Sequence, residues 1–222
     1  MYGPLGLYDS GTRAPLGFAV LNAFDAFESS VLNAVVGYYR LAFIALRSVI
    51  EHMCVALELE LARDRSAFLA WQRGEERSFG WAADLLPKHV AVQQLEAALR
   101  IRVGNDLFRQ QQRQPPRRAG YARMLFGHLS RFVHAHPGFT DADLWQSNGP
   151  IFSAPTFLRW ASAIFASYAL SLVILKLGTP TLRVVDGPDA RTVRELFGTA
   201  VEALPKRAAL KRVLLAVPLQ FW

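Results

Sequence analysis

This sequence predicts an all-α fold, an irregular bundle of five to seven helices organised around one long central helix. Three observations carry that reading. First, Val31 to Arg63 places apolar residues at helical spacing, among them Val35, Leu41, Ile44, Leu46, Ile50, Met53, Leu57 and Leu61, with no proline. Second, further apolar stripes of helical period follow, each ended by a breaker: Gly74, Pro87, Gly104–Asn105, Pro115–Pro116, then Pro137–Gly138. Third, no stretch alternates apolar and polar residues over a strand's length, apart from a short Leu-Arg-Val-Val before Asp186 that reads as a strand or extended chain.

In chain order, residues 1–14 read as an irregular lead marked by Gly3, Pro4, Gly6 and Gly11. Periodicity begins near Leu16, where Phe18, Leu21, Phe24 and Phe27 are expected to form one packed face. Gly37 offers a kink, so that 16–63 is either one bent helix or two. Ser78 is placed to cap a short helix containing Trp81 and Leu85, and Pro87 to stop it. The stripe Val90, Leu95, Leu99, Val103 predicts another helix, after which Asn105 is a further cap. The piece QQQRQPPRRAG, 110–120, is a basic polar connector, because two adjacent prolines do not fit a helix interior.

Helical pattern resumes over 120–138 with Tyr121, Met124, Leu125, Leu129, Phe132 and Val133 on its apolar side. Residues 139–150 read as a loop. Residues 155–178 contain a charge-free run between Arg159 and Lys176. That run is shorter than the ~20 apolar residues of a spanning helix and holds Ser162, Ser167 and Ser171, so a central core helix is the expectation. The piece DGPDARTVRELFGTA reads as a last helix, with Asp189 as its cap and Glu195 near its middle, and an amphipathic end closes the chain. The domain reading is a helical bundle over 1–178 and a C-terminal helical extension over 179–222 packing on it.

Composition narrows the classes. Hydrophobic residues make up 52% of the 222, enough for a sizeable core. Net charge is +7 and lies in the second half: residues 1–111 carry eleven basic and twelve acidic groups, residues 112–222 fourteen and six. A basic half can attract RNA, DNA or an anionic membrane surface, although composition alone favours the plainer reading, a soluble arginine-rich protein of high pI. Cys54 is the only cysteine and sits beside Met53 and Val55, so it reads as a buried thiol, and a disulfide-stapled scaffold or a Cys-rich zinc module is excluded. Asp9 interrupts the place where a secretory leader would be apolar, so none is expected and the chain is read as cytoplasmic.

Histidine and arginine carry the candidate chemistry. An arginine is followed by histidine after four intervening residues at Arg47–His52, Arg123–His128 and Arg131–His136. Arginine can hold a phosphate bidentately while histidine moves a proton from a ribose hydroxyl, a layout for RNA cleavage without metal or cofactor. With 21 arginines and five histidines in the chain, chance also supplies such spacings, so context must rank them. Ser130, Arg131, His134 and His136 gather just before a helix break and rank first. Arg47 and His52 rank second, because Arg47 with Glu51 also reads as an internal ion pair linking helices. No H-E-x-x-H is present, and His128, His134 and His136 match no familiar metal spacing. Arg113, Arg117, Arg118, Lys206, Arg207, Lys211 and Arg212 are the expected nucleic-acid contacts.

The segments YYRLAFIALRSVIEHMCVALELEL and YARMLFGHLSRFVHAHPG resemble two blocks of a group of bacterial helical proteins similar to the HEPN superfamily. The resemblance spans roughly residues 20–178. It implies a helical domain of a toxin or phage-defence type acting as a metal-independent RNase, with Arg47 and His52, or Arg131 and His136, carrying the superfamily's arginine–histidine signature. It also implies dimerisation. The other readings are a non-catalytic scaffold or regulatory subunit binding a protein or nucleic acid through its basic half, and a small membrane-associated helical protein.

Overall fold

Gly37 divides the stretch that sequence periodicity joins. In the computed structural model, which describes residues 15–103, 106–133 and 151–180, α1 (Pro15–Val35) ends two residues before Gly37 and α2 (Tyr39–Ala62) begins two residues after it. The expected helix from Val31 to Arg63 is therefore corrected to the end of one helix and the whole of the next. Gly37 has φ +88°, and a Cβ there would lie 2.8 Å from the carbonyl oxygen of Ile151. Both constraints demand glycine. Gly37→Ala is expected to lower stability by about 2–3 kcal/mol, from left-handed strain plus overpacking, measured by urea unfolding.

The turn makes an antiparallel pair. Ser30 Oγ donates to the Ala42 carbonyl at 2.9 Å near the turn, and at the far end the Leu16 amide donates to Glu60 at 3.4 Å. The α1 residues facing α2 are small: Ala19, Ala23, Ser30 and Ala34 are buried, which lets the backbones approach. The expected Phe18–Leu21–Phe24–Phe27 face is not one face. Spacing of three falls about 60° short of a turn at each step. Phe18 and Phe27 consequently pack sideways, against Trp71 and Tyr168, while Leu21 and Phe24 are exposed.

α2 is the central helix. It contacts α1, α3 (Arg65–Gln72), α4 (Phe79–Leu85), α6 (Tyr121–Val133) and α7 (Ala154–Gly178). Thirteen of its 24 residues are buried, from Tyr39 to Leu59, too many for one stripe, so partners surround it. Val35 and Leu41, at the turn, are exposed instead. Ser78 caps α4, accepting from the Trp81 amide at 3.2 Å, and a 3-10 turn at Leu86–Lys88 contains Pro87. Helix α5 (Val90–Val103) buries Val92, Leu95 and Leu99, whereas Val90, expected inside, is exposed.

Helix α6 runs antiparallel to α2, with Phe132 stacked on Phe43 at 3.8 Å and Phe126 on Phe79 at 4.0 Å. Arg40 closes its end by donating to the carbonyls of Phe132 and Val133. Helix α7 is capped by Ser153 and packs on α2, α1 and α6, with Trp160 Nε1 donating to Ser30 at 2.9 Å. It is the one described helix long and apolar enough to cross a membrane, and 61% of its most apolar window is buried in the protein. The described residues form an all-α, irregular multi-helix bundle without a sheet; their only bridge pairs Gln112 with Arg117. The Leu-Arg-Val-Val piece, Asn105, the loop over 139–150 and nearly all of the extension over 179–222 lie outside the described residues.

Candidate functional site

The basic polar connector over 110–120 is a built hairpin. Gln112 and Arg117 exchange backbone hydrogen bonds at 3.1 and 3.0 Å around the Pro115–Pro116 turn, and the Gly120 amide donates to the Arg109 carbonyl at 2.8 Å. A Cβ on Gly120 would sit 2.6 Å from the Leu107 carbonyl oxygen, so the returning strand lies tight on the outgoing one. Arg109 braces both, donating to the Arg118 carbonyl and, at 2.6 Å, to Asp106.

Buried acids hold the base of this hairpin. Glu96 of α5 accepts the amides of Leu107 at 3.2 Å and Phe108 at 2.8 Å, and Asp106 is ion-paired to Arg100 and Arg109. Both carboxylates are about 4% exposed. Burial, with the Asp106 carboxylate nearby, raises the Glu96 pKa, while the two amides and Arg100 oppose the rise. Leu107 and Phe108 enter the core, and Arg123 of α6 donates to the Phe108 carbonyl and pairs with Asp84, which also accepts from Gln110. The base is pinned to α4, α5 and α6, while the tip exposes Arg113, Arg117 and Arg118. Four arginines and no carboxylate lie between 109 and 120. The tip therefore presents guanidinium groups, which suit bidentate contacts to phosphate oxygens.

The proposed arginine–histidine pairs fare differently. Arg47 stacks over Phe126 at 4.7 Å, pairs with Glu51 at 3.2 Å and donates to Ser130 at 3.2 Å, while Glu51 accepts the Phe79 amide at 3.1 Å. This is the internal tie expected from the sequence, joining α2 to α4 and α6. His52 lies five residues on, about 140° around the helix, edge-on to Trp71 at 6.0 Å. The two side chains do not converge. Arg123 is committed to the hairpin base, and His128 lies edge-on to Phe132 at 5.7 Å. Arg131 stands exposed in the last turn of α6. His134, His136, Lys206, Arg207, Lys211 and Arg212 lie outside the described residues. Among the described residues no three His, Cys, Asp or Glu side chains gather as a metal ion would require.

Compared with known proteins, the chain matches no family model, no curated protein and no solved structure.

His52 and Cys54 read as structural. Burial pushes the Cys54 thiol far up, which holds it protonated and unreactive. Burial also lowers the His52 pKa below its ordinary 6.5, with Glu51 partly opposing. The folded state then binds this proton less readily than the unfolded chain, so stability from His52 is present above pH 6.5 and is lost as pH falls through the lowered folded pKa. His52→Gln is expected to flatten the loss of thermal midpoint below that pH. An unchanged profile would contradict the assignment.

Sequence reasoning missed three ties: Arg40 on the end of α6, Glu58 with His89, and Glu96 with the hairpin. Each joins residues more than ten positions apart, and only the buried acids Glu58 and Glu96, set among apolar positions, signalled them in advance.

Proposed function

We propose that this domain binds nucleic acid, RNA in the first instance, through the hairpin at 109–120. The observation that carries this reading is the exposure of Arg113, Arg117 and Arg118 around the Pro115–Pro116 turn, on a tip without acidic side chains, braced from below by buried Glu96 and Asp106. Phosphate contacts need only positioned cations, which these three exposed arginines supply. Lys206, Arg207, Lys211 and Arg212 would extend the contact. Fluorescence anisotropy with a labelled single-stranded RNA tests it: wild type binds at low salt, and R113A/R117A/R118A loses most of the affinity. Equal affinity of the two proteins removes the hairpin from the contact.

Arg131 supports a second reading in which bound RNA is also cut, as in a toxin or defence RNase. It sits where α6 ends, with His134 and His136 next in the chain. Arg131 would neutralise the scissile phosphate, His136 would take the 2′-hydroxyl proton, and His134 would orient the strand. Arg131 is ten residues along α6 from Tyr121, about 15 Å from the hairpin's return. A strand would therefore have to run the length of α6 to touch both. Incubation with RNA in EDTA decides it: cleavage lost in R131A and H136A but kept in R47A and H52A supports the site, and no cleavage by wild type leaves binding alone. The packing of α7 into the bundle supports a cytoplasmic location over a membrane one. Retention in washed membranes until detergent is added would reverse that.

A further inference from the structure

Helix α1 covers α2 with its small residues and turns another face outward. On that face Leu21, Phe24, Glu28, Val31 and Val35 follow one another at spacings of three and four, with Leu32 beside them. These positions fall within an arc of about 100° over about 21 Å of helix. The apolar ones are among the most exposed large side chains of the domain, Leu32 at 66% and Val35 at 61%. Alternating three–four spacing is the seam that receives a second helix by knobs-into-holes packing. Among the described residues nothing fills this α1 face, because α2 and α7 occupy the sides of α1 that hold Ala19, Ala23 and Ser30.

Charge selects the occupant. Between Pro15 and Val35 the only charged residues are Asp25 and Glu28, both acidic and both exposed. Neither makes an ion pair with a described residue. Glu28 occupies the middle of the seam, and Asp25 flanks it. An anionic bilayer is disfavoured, since interfacial helices carry Lys and Arg beside their apolar face. A second copy docked in symmetric register about Glu28 would set that carboxylate on its own equivalent. We propose that the outer face of α1 docks an amphipathic helix of a partner protein, one with Leu or Val along its seam and a Lys or Arg opposite Glu28. This surface is separate from the basic hairpin and does not depend on it.

The test is a charge swap with a defined probe. A synthetic peptide of about three heptads carries leucine at its a and d positions and one lysine at the central a position; a control peptide has glutamate there. The lysine peptide is expected to bind the full chain, and the glutamate peptide about tenfold more weakly or not at all. Glu28→Lys should reverse the preference, and Leu32→Asp should abolish binding of both, with far-UV circular dichroism unchanged because both residues are exposed. Equal affinity for the two peptides, or a preference that Glu28→Lys leaves intact, overturns the proposal. So does a self-associated chain that Leu32→Asp makes monomeric, which would give the face to a second copy. Binding that appears only after deletion of 204–222 also overturns it, because the chain's own basic end would then be the competitor.

Discussion

Glu96→Leu is expected to destabilise the domain by about 3–5 kcal/mol. The carboxylate accepts two core amides, those of Leu107 and Phe108, and leucine accepts neither. Each orphaned buried donor costs about 1–3 kcal/mol. Relief of repulsion from Asp106 offsets part of this, and loss of the Arg100 partner adds to it. Glu96→Gln keeps an acceptor oxygen and should cost much less. The pH dependence follows from the raised pKa. The folded state holds this proton more tightly than the unfolded chain, so Glu96 favours folding most at pH below 4.5, and that contribution is lost as pH rises through its folded pKa. Glu60, raised by burial, has the same sign. Urea unfolding of wild type and Glu96→Gln across that range should show a flatter profile for the variant. Because Glu96 holds the hairpin's base, Glu96→Leu should also weaken the RNA binding we propose for the hairpin, where the fold survives.

His89→Ala should cost a similar amount, about 3–5 kcal/mol, by a different route. Glu58 lies on the buried side of α2 and its Oε2 accepts from His89 Nε2 at 2.9 Å. Alanine leaves that carboxylate in the interior without its partner. Removing both, as in E58L/H89L, should recover much of the loss, since an apolar pair of similar volume needs no hydrogen bond. The double-mutant cycle measures this: strong coupling supports the pair, and additive effects contradict it.

These two residues also show how far the sequence could be read. Helix existence was legible because α2, α6 and α7 repeat their apolar residues within themselves, and Ser78 announces its cap in the residues that follow it. The break at Gly37 was visible only as an option, because a glycine inside apolar periodicity permits either a kink or a turn. What chooses the turn is the approach of Ile151, more than a hundred residues away. The same holds for α1, where alanines and a serine were the buried contacts and the larger phenylalanines drew attention to the wrong faces. At the site, the arginines of 113–118 were legible as basic chain, whereas the Glu96 and Asp106 scaffold that turns them into a surface depends on inter-helix register. Arg47 and His52 looked paired by spacing, and helical geometry sets them on different sides of α2.

The central claim is that hairpin arginines contact phosphates, and the salt dependence of RNA affinity tests it most directly. Each phosphate neutralised on a single strand contributes about 0.7 to the slope of log affinity against log salt. Removing Arg113, Arg117 and Arg118 together should therefore reduce that slope by about 2 and weaken binding most at low salt. A slope identical in wild type and the triple variant would contradict the account and place the nucleic-acid contact, if any, elsewhere on the chain.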